Sequence, residues 1–321
     1  MNMARPLPTR RRFLAMTALS CAAPAILRAA PLLQHLTGPA FGSEWRLALP
    51  DGARADRPAI AALLARIDRQ MSPWREDSEI TAFNRAPDHA DVSEGTVHVA
   101  RAALRLAHDS GGWFDPSVGP LVHRWGFGPI EGEALGWRGM AAHDGGLSKA
   151  QPGQTLDLCG IAKGRALDLV AARLQDMGHD AFLLDIGGEL LARGTHPSGR
   201  IWQIAIEDPR PGQAGAAAML RLEGQAAATS GLKVHSYDPG GRRHGHIIDP
   251  HRAAPVDGDL ASVTVLAADA MMADGWATAL AAAGRAGLDL AERHGIAALF
   301  LFDGARELHQ HVTGGAERWL I

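Results

Sequence analysis

The 321-residue sequence carries two cysteines, a net charge of −3, no internal repeat and, after residue 30, no apolar run long enough to span a bilayer. Each absence excludes something. A chain without a strongly basic balance offers no basis for nucleic-acid binding. Residues 31–321 hold no candidate transmembrane helix. The 46% hydrophobic content is still enough for one large core or two smaller ones.

Residues 1–30 read as a targeting segment outside the fold, which leaves 31–321 as the folded domain. Thr9-Arg-Arg-Arg-Phe-Leu14 is a twin-arginine pattern, and an Ala-rich apolar stretch from Phe13 to Ile26 follows it. The competing reading is a basic N-terminus on an amphipathic helix. Twin-arginine export implies a periplasmic protein that crosses the membrane already folded. Residues 18–21 (ALSC) resemble a lipoprotein cleavage site, and a lipid on Cys21 would associate the protein with the inner membrane. With Cys21 removed or lipidated, Cys159 is the single thiol left, so no intramolecular disulfide can form.

Hydrophobic periodicity gives a strand at 44–49 and helices over 57–71 and 97–110. The Gly-rich stretch 126–154 is irregular, with a short helix expected at 134–140. A strand at 155–158, a helix at 165–177 and a strand at 181–185 form the centre. Strands at 202–206 and 217–222 flank a Pro/Gly loop, and further strands fall at 226–229, 246–248, 262–266 and 297–302. Helices at 270–283 and 288–294 complete the pattern. This order is not a regular βα repeat, and it indicates an α+β fold with mixed or antiparallel sheets and flanking helices.

Residues 157–168 (DLCGIAKGRALD) carry the strongest motif. An apolar piece runs into two glycines that bracket Lys163, and a helical pattern follows. Backbone N–H groups at such a helix start suit a phosphate, and Lys163 adds a mobile charge. The glycine spacing is not that of a Walker loop, and an ordinary strand–helix connection explains the pattern equally well. A second glycine run, 126–132 (GFGPIEG), misses the dinucleotide fingerprint by one residue and lacks the strand and helix it needs. Asp274 and Thr278 lie four apart on one helix face and offer hard oxygen ligands suited to Mg2+. From spacing alone, a surface Asp and a helix Thr are the better reading. Asp269 opens that helix as its N-cap.

Several segments occur in the order of a known family: 71–84 (MSPWREDSEITAFN), 114–122 (FDPSVGPLV), 125–128 (WGFG), 185–189 (DIGGE), 206–209 (IEDP), 228–231 (ATSG), 246–250 (HIIDP) and 269–280 (DAMMADGWATAL). Together the set resembles the ApbE-type FAD:protein FMN transferases, from about Phe41 to the C-terminus. The resemblance implies a single catalytic domain with a cofactor cleft that binds FAD as substrate. It makes Asp274, Thr278 and the Gly160 carbonyl ligands of Mg2+. It places Trp74, Trp125, Gly126, Phe127, Asp157, Lys163 and Ile248 against the flavin nucleotide, with Lys163 also assisting the chemistry. His246 is taken first as a general base, beside a plain cofactor contact and a His244–His246 metal pair as rivals.

The implied reaction is transfer of FMN from FAD to a threonine of an acceptor protein, with release of AMP. The acceptor implied is a flavin-bearing subunit of a respiratory or ion-pumping electron-transfer system. An FAD pyrophosphatase on the same site, or a non-catalytic flavin-binding protein of the periplasm, are the alternatives. The sequence departs from the family pattern at Phe41-Gly42-Ser43, at Leu232 to His235, and at His251 to Ala254, all positions expected around the cofactor pocket. Cys159 stands where the family has a small residue and reads as a small buried filler.

Overall fold

The computed structural model describes residues 33–231, 236–237, 244–304 and 307–321. The expected export segment with Cys21, the departure at 232–235 and the side chain of His244 lie outside the described residues. The main element is an eight-stranded sheet in which every neighbouring pair is antiparallel. Its spatial order is Leu33–Ala40, Ser43–Pro50, Phe182–Ile186, Glu189–Arg193, Ala226–Gly231, Leu260–Ala267, Ala297–Asp303 and Leu308–Thr313.

Seven α-helices are described: α1 (Arg57–Met71), α2 (Glu79–Arg85), α3 (Glu94–Asp109), α4 (Gly119–Arg124), α5 (Cys159–Asp176), α6 (Ala270–Ala283) and α7 (Ala286–His294). The architecture is α+β, as the order of elements implies. None of the described helices is long and apolar enough to cross a membrane.

Strand alternation divides the interior into two cores. Trp45, Leu47, Leu184, Leu191, Val263, Phe300 and Phe302 face a large core beneath α1, α3, α5 and α6. Ala48, Leu190, Ala192, Leu299 and Leu301 face the other way. There the hairpin Trp202–Glu207/Ala216–Leu222 covers them with Trp202, Ile204, Ile206 and Leu220.

Helices α1 and α6 have the bounds their periodicity gives, and α3 starts three residues earlier than expected. The short helix expected at 134–140 does not form. Gly136 and Gly139 have φ of 79° and 87°, and the Gln154 side-chain amide takes the Gly136 and Arg138 carbonyls. Residues 155–158 are not a strand either. The Leu156 N–H and C=O both pair with the Asn84 side-chain amide, and the Asp157 N–H donates to the Pro116 carbonyl at 2.7 Å. No turn precedes the helix that follows: α5 begins at Cys159, so Gly160 and Gly164 lie within it. The strand expected at 246–248 begins at Ile248 and pairs with Ala254–Pro255.

Candidate active site

Helices α5 and α6 cross antiparallel, joined by three polar rungs. The Thr278 hydroxyl donates to the Gly160 carbonyl at 3.2 Å. The Gly164 N–H donates to Asp274 Oδ2 at 2.9 Å. Asp168 accepts from the N–H groups of Ala270 and Met271 at 2.8 and 3.0 Å. Residues 160, 164 and 168 share one stripe of α5, and 278, 274 and 270 share the facing stripe of α6, because side chains four apart lie on one face. The crossing is close because Gly164 has no side chain. A Cβ there would lie 2.1 Å from the Ala270 carbonyl oxygen. Asp269 is the N-cap of α6, accepting from Met272 N–H at 2.9 Å, and Asp168 caps the same end from α5.

Asp274 is buried, and burial raises its carboxyl above the ordinary range while the Lys163 charge and the Gly164 N–H pull the other way. Lys163 donates to Glu189 Oε1 at 2.7 Å. Burial disfavours the ammonium, but the Glu189 and Asp274 carboxylates outweigh it and raise its pKa. Glu189 faces the helices because it lies two residues before Leu191 on the same strand. Burial pushes its carboxyl up to about 8 against the opposing pull of Lys163. Its second oxygen, Oε2, is buried with no hydrogen-bond partner.

This donor set fits a hard divalent cation. It offers a carboxylate, a hydroxyl and a backbone carbonyl, the hard oxygen ligands that such an ion combines with water and phosphate oxygens. Among the described residues no group of three His, Cys, Asp or Glu side chains is placed to hold a metal, so a transition-metal cage is not built here. The buried Asp274 carboxylate, with its charge only partly offset, gains most from such a cation.

The Asp157 carboxylate accepts from Cys159 N–H at 2.9 Å at the start of α5, and burial raises its pKa. Phe114 is buried against Gly160, its ring 3.3 Å from where a Cβ would stand. Trp125, Gly126 and Phe127 leave the end of α4. Gly126 there takes a φ of 80°, and the Phe127 N–H returns to the Val122 carbonyl at 3.0 Å. The rings of Phe127 and His246 meet edge to face with centroids 6.4 Å apart. Ile248 is buried on a short strand that packs against α6. Trp74 sits on the α1–α2 connection, 66% exposed.

A model of the ApbE family matches residues 41–300. An FAD:protein FMN transferase of Vibrio cholerae is 34% identical over 298 residues, covering 85% of this chain and 89% of the relative. One from Klebsiella pneumoniae is 33% identical over 269 residues, covering 76% and 77%. The chain belongs to the ApbE family. The solved flavin transferase ApbE of Vibrio cholerae superposes with a TM-score of 0.80 at 32% identity, covering 90% of this chain and all of that one. The apo flavinyl transferase ApbE of Pseudomonas stutzeri gives a TM-score of 0.80 at 32% identity, covering 90% and 97%.

Of the ApbE-type residues expected from the sequence, the structure brings Gly160, Lys163, Asp274 and Thr278 into one cluster. It pairs His246 with Phe127. Cys159 is exposed, not a buried filler, because it opens α5 at the mouth of the crossing. The motif 157–168 holds no tight glycine turn, since Gly160, Lys163 and Gly164 all lie within α5. Some residues of the site had no role assigned from sequence, Asp168, Glu189 and Asn84 among them. Glu189 ends the DIGGE segment, and a carboxylate two residues before a core leucine was its available signal. Asn84 ends the first quoted segment, and only its pairing with Leu156, 72 residues away, gives it a task.

Proposed function

We propose that this protein transfers FMN from FAD to a threonine hydroxyl of an acceptor protein, releasing AMP. The observation that carries the reading is the α5–α6 crossing, where Gly160, Asp274 and Thr278 converge beside Lys163. Membership of the ApbE family and relatives named FAD:protein FMN transferase support it.

Gly160, Asp274 and Thr278 would hold Mg2+. When bound, that ion supplies charge neutralisation at the pyrophosphate oxygens of FAD. Lys163 adds a fixed positive charge at the same edge of the site. The threonine oxygen forms a bond to the phosphorus on the FMN side of the pyrophosphate. The bond from that phosphorus to the bridging oxygen breaks, and AMP leaves with the electron pair. His246 accepts the hydroxyl proton. Phe127, edge-on to His246, and Trp125 and Trp74 supply aromatic surface for the flavin nucleotide, and Asp157 and Ile248 supply further contacts to it.

The test is AMP release from FAD and Mg2+ with and without an acceptor domain bearing the family's threonine. Acceptor-dependent AMP with FMN mass added to the acceptor is the expected result. AMP and free FMN without acceptor would make the protein a pyrophosphatase. Bound FAD and no AMP would leave a flavin-binding protein.

Residues 1–30 are proposed as a twin-arginine export signal. Replacing Arg10 and Arg11 with lysine should hold the protein in the cytoplasm. Unchanged export of that variant would overturn the assignment. The acceptor is proposed to be a flavin-bearing subunit of a respiratory or ion-pumping electron-transfer system.

A further inference from the structure

Lys163 stands within the field of two buried carboxylates. It lies next to Gly164, whose N–H is bonded to Asp274, and its charge acts on Asp274 as well as on Glu189. Its hydrogen bond goes only to Glu189, at 2.7 Å. Among the described residues Lys163 makes no bond to Asp274, and Glu189 has no other side-chain partner. The Glu189 side chain is 5% exposed and its Oε2 has no partner, so the carboxylate has nothing else to hold in place. A buried, otherwise idle carboxylate beside a lysine is a costly arrangement. It needs an explanation beyond packing.

We propose that Glu189 is a positioning residue that holds the Lys163 ammonium away from Asp274 and so keeps the Asp274 carboxylate open to a divalent cation. The inference rests on the metal reading given above. Without the Glu189 charge, Asp274 is the remaining buried carboxylate whose field acts on this ammonium, which ends a flexible four-carbon stem. The ammonium then settles on Asp274 and competes with the cation for the same oxygens. Glu189 touches neither the cation nor the substrate in this account. It acts through Lys163.

The test is calorimetric titration of Mg2+ alone, at about pH 9 so that a Glu189 carboxyl raised to about 8 is ionised, into the full-length folded protein, with no FAD and no acceptor. Four proteins are compared: wild type, Glu189→Gln, Lys163→Met and the double variant. Each is first checked for cooperative unfolding, and glutamine keeps the shape of the buried side chain. Glu189→Gln should weaken Mg2+ binding about ten- to a hundredfold, the range for residues that orient metal ligands. Removing the lysine as well, in the double variant, should restore affinity to within about threefold of wild type. Wild-type affinity in Glu189→Gln would overturn the inference. So would a double variant as weak as Glu189→Gln, since Glu189 would then act on the cation directly. A wild-type protein that binds no Mg2+ would instead overturn the metal reading, and this inference with it.

Discussion

On one side of the large sheet, Phe300 and Phe302 belong to the core beneath the helices. One residue along, Leu299 and Leu301 belong to the core beneath the hairpin Trp202–Glu207/Ala216–Leu222. The same strands serve both. The hairpin face has an apolar interior, and its hydrogen bonds, such as Trp202 Nε1–H to the Arg193 carbonyl at 3.0 Å and the Gln310 amide to the Ala217 carbonyl at 3.0 Å, lie around it. On the helical face, the apolar packing stops at a polar crossing in which Gly160, Gly164 and Asp168 meet Thr278, Asp274 and Ala270. Apolar packing is tolerant of small changes in position, whereas each polar rung needs a particular atom at hydrogen-bonding distance. The comparison teaches that the hairpin face supplies stability, and that the helical face spends part of its burial on chemistry.

The strongest way to break this division is Asp274→Ala. FMN transfer should fall by about a thousandfold, the several kcal/mol that a metal site supplies to a transition state. Mass spectrometry of the acceptor measures it, and full transfer by the variant would return Asp274 to a structural role. On the opposite face, Leu299→Ala should cost about 2–5 kcal/mol in denaturant unfolding, because a fully buried side chain leaves a cavity. Its Mg2+ affinity and KM for FAD should match wild type, and a shift in either would show that the faces are coupled. Gly164→Ala should cost about 1–3 kcal/mol by overpacking against Ala270 and, unlike Leu299→Ala, should also weaken Mg2+ binding.

The smallest expected effect is a pH slope. The folded protein holds the Glu189 proton more tightly than the unfolded chain, since burial raises this carboxyl to about 8. The stability that proton contributes is complete below the unfolded carboxylate range and is lost as pH rises through about 8. Glu189→Gln should flatten the decline in melting temperature across that window. Leu299→Ala should keep the wild-type slope at a lower melting temperature.

Much of this was legible in the sequence, and the parts that were not have two causes. Helix α1 could be placed to the residue because its apolar spacing is sustained over four turns, and α6 because a nearly unbroken run of small and apolar residues follows the Asp269 cap. Residues 155–158 and 134–140 misled because distant or irregular partners decide them. Asn84 captures the backbone of Leu156, and Gln154 captures two carbonyls that a helix would have used. The strands Leu33–Ala40 and Leu308–Thr313 escaped notice for another reason. Both are edge strands, where polar residues, Gly38 and Pro39 are tolerated, so alternation is weak. Within the site, Gly160, Lys163, Asp274 and Thr278 were legible through the family's motifs. Glu189 lay in a quoted segment but had no role until its strand register turned it toward Lys163.

The rungs at Gly164–Asp274 and Gly160–Thr278 join points of the chain 110 and 118 residues apart in sequence. A cation held by Gly160, Asp274 and Thr278 would therefore act as a detachable staple across a very long loop, in a chain whose one described cysteine is free. At about a hundred times its dissociation constant such an ion adds roughly 2.7 kcal/mol to the folded state. A chelator removes that increment without touching a covalent bond. The ruggedness of the protein would then be set partly from outside, by the free cation concentration of its surroundings.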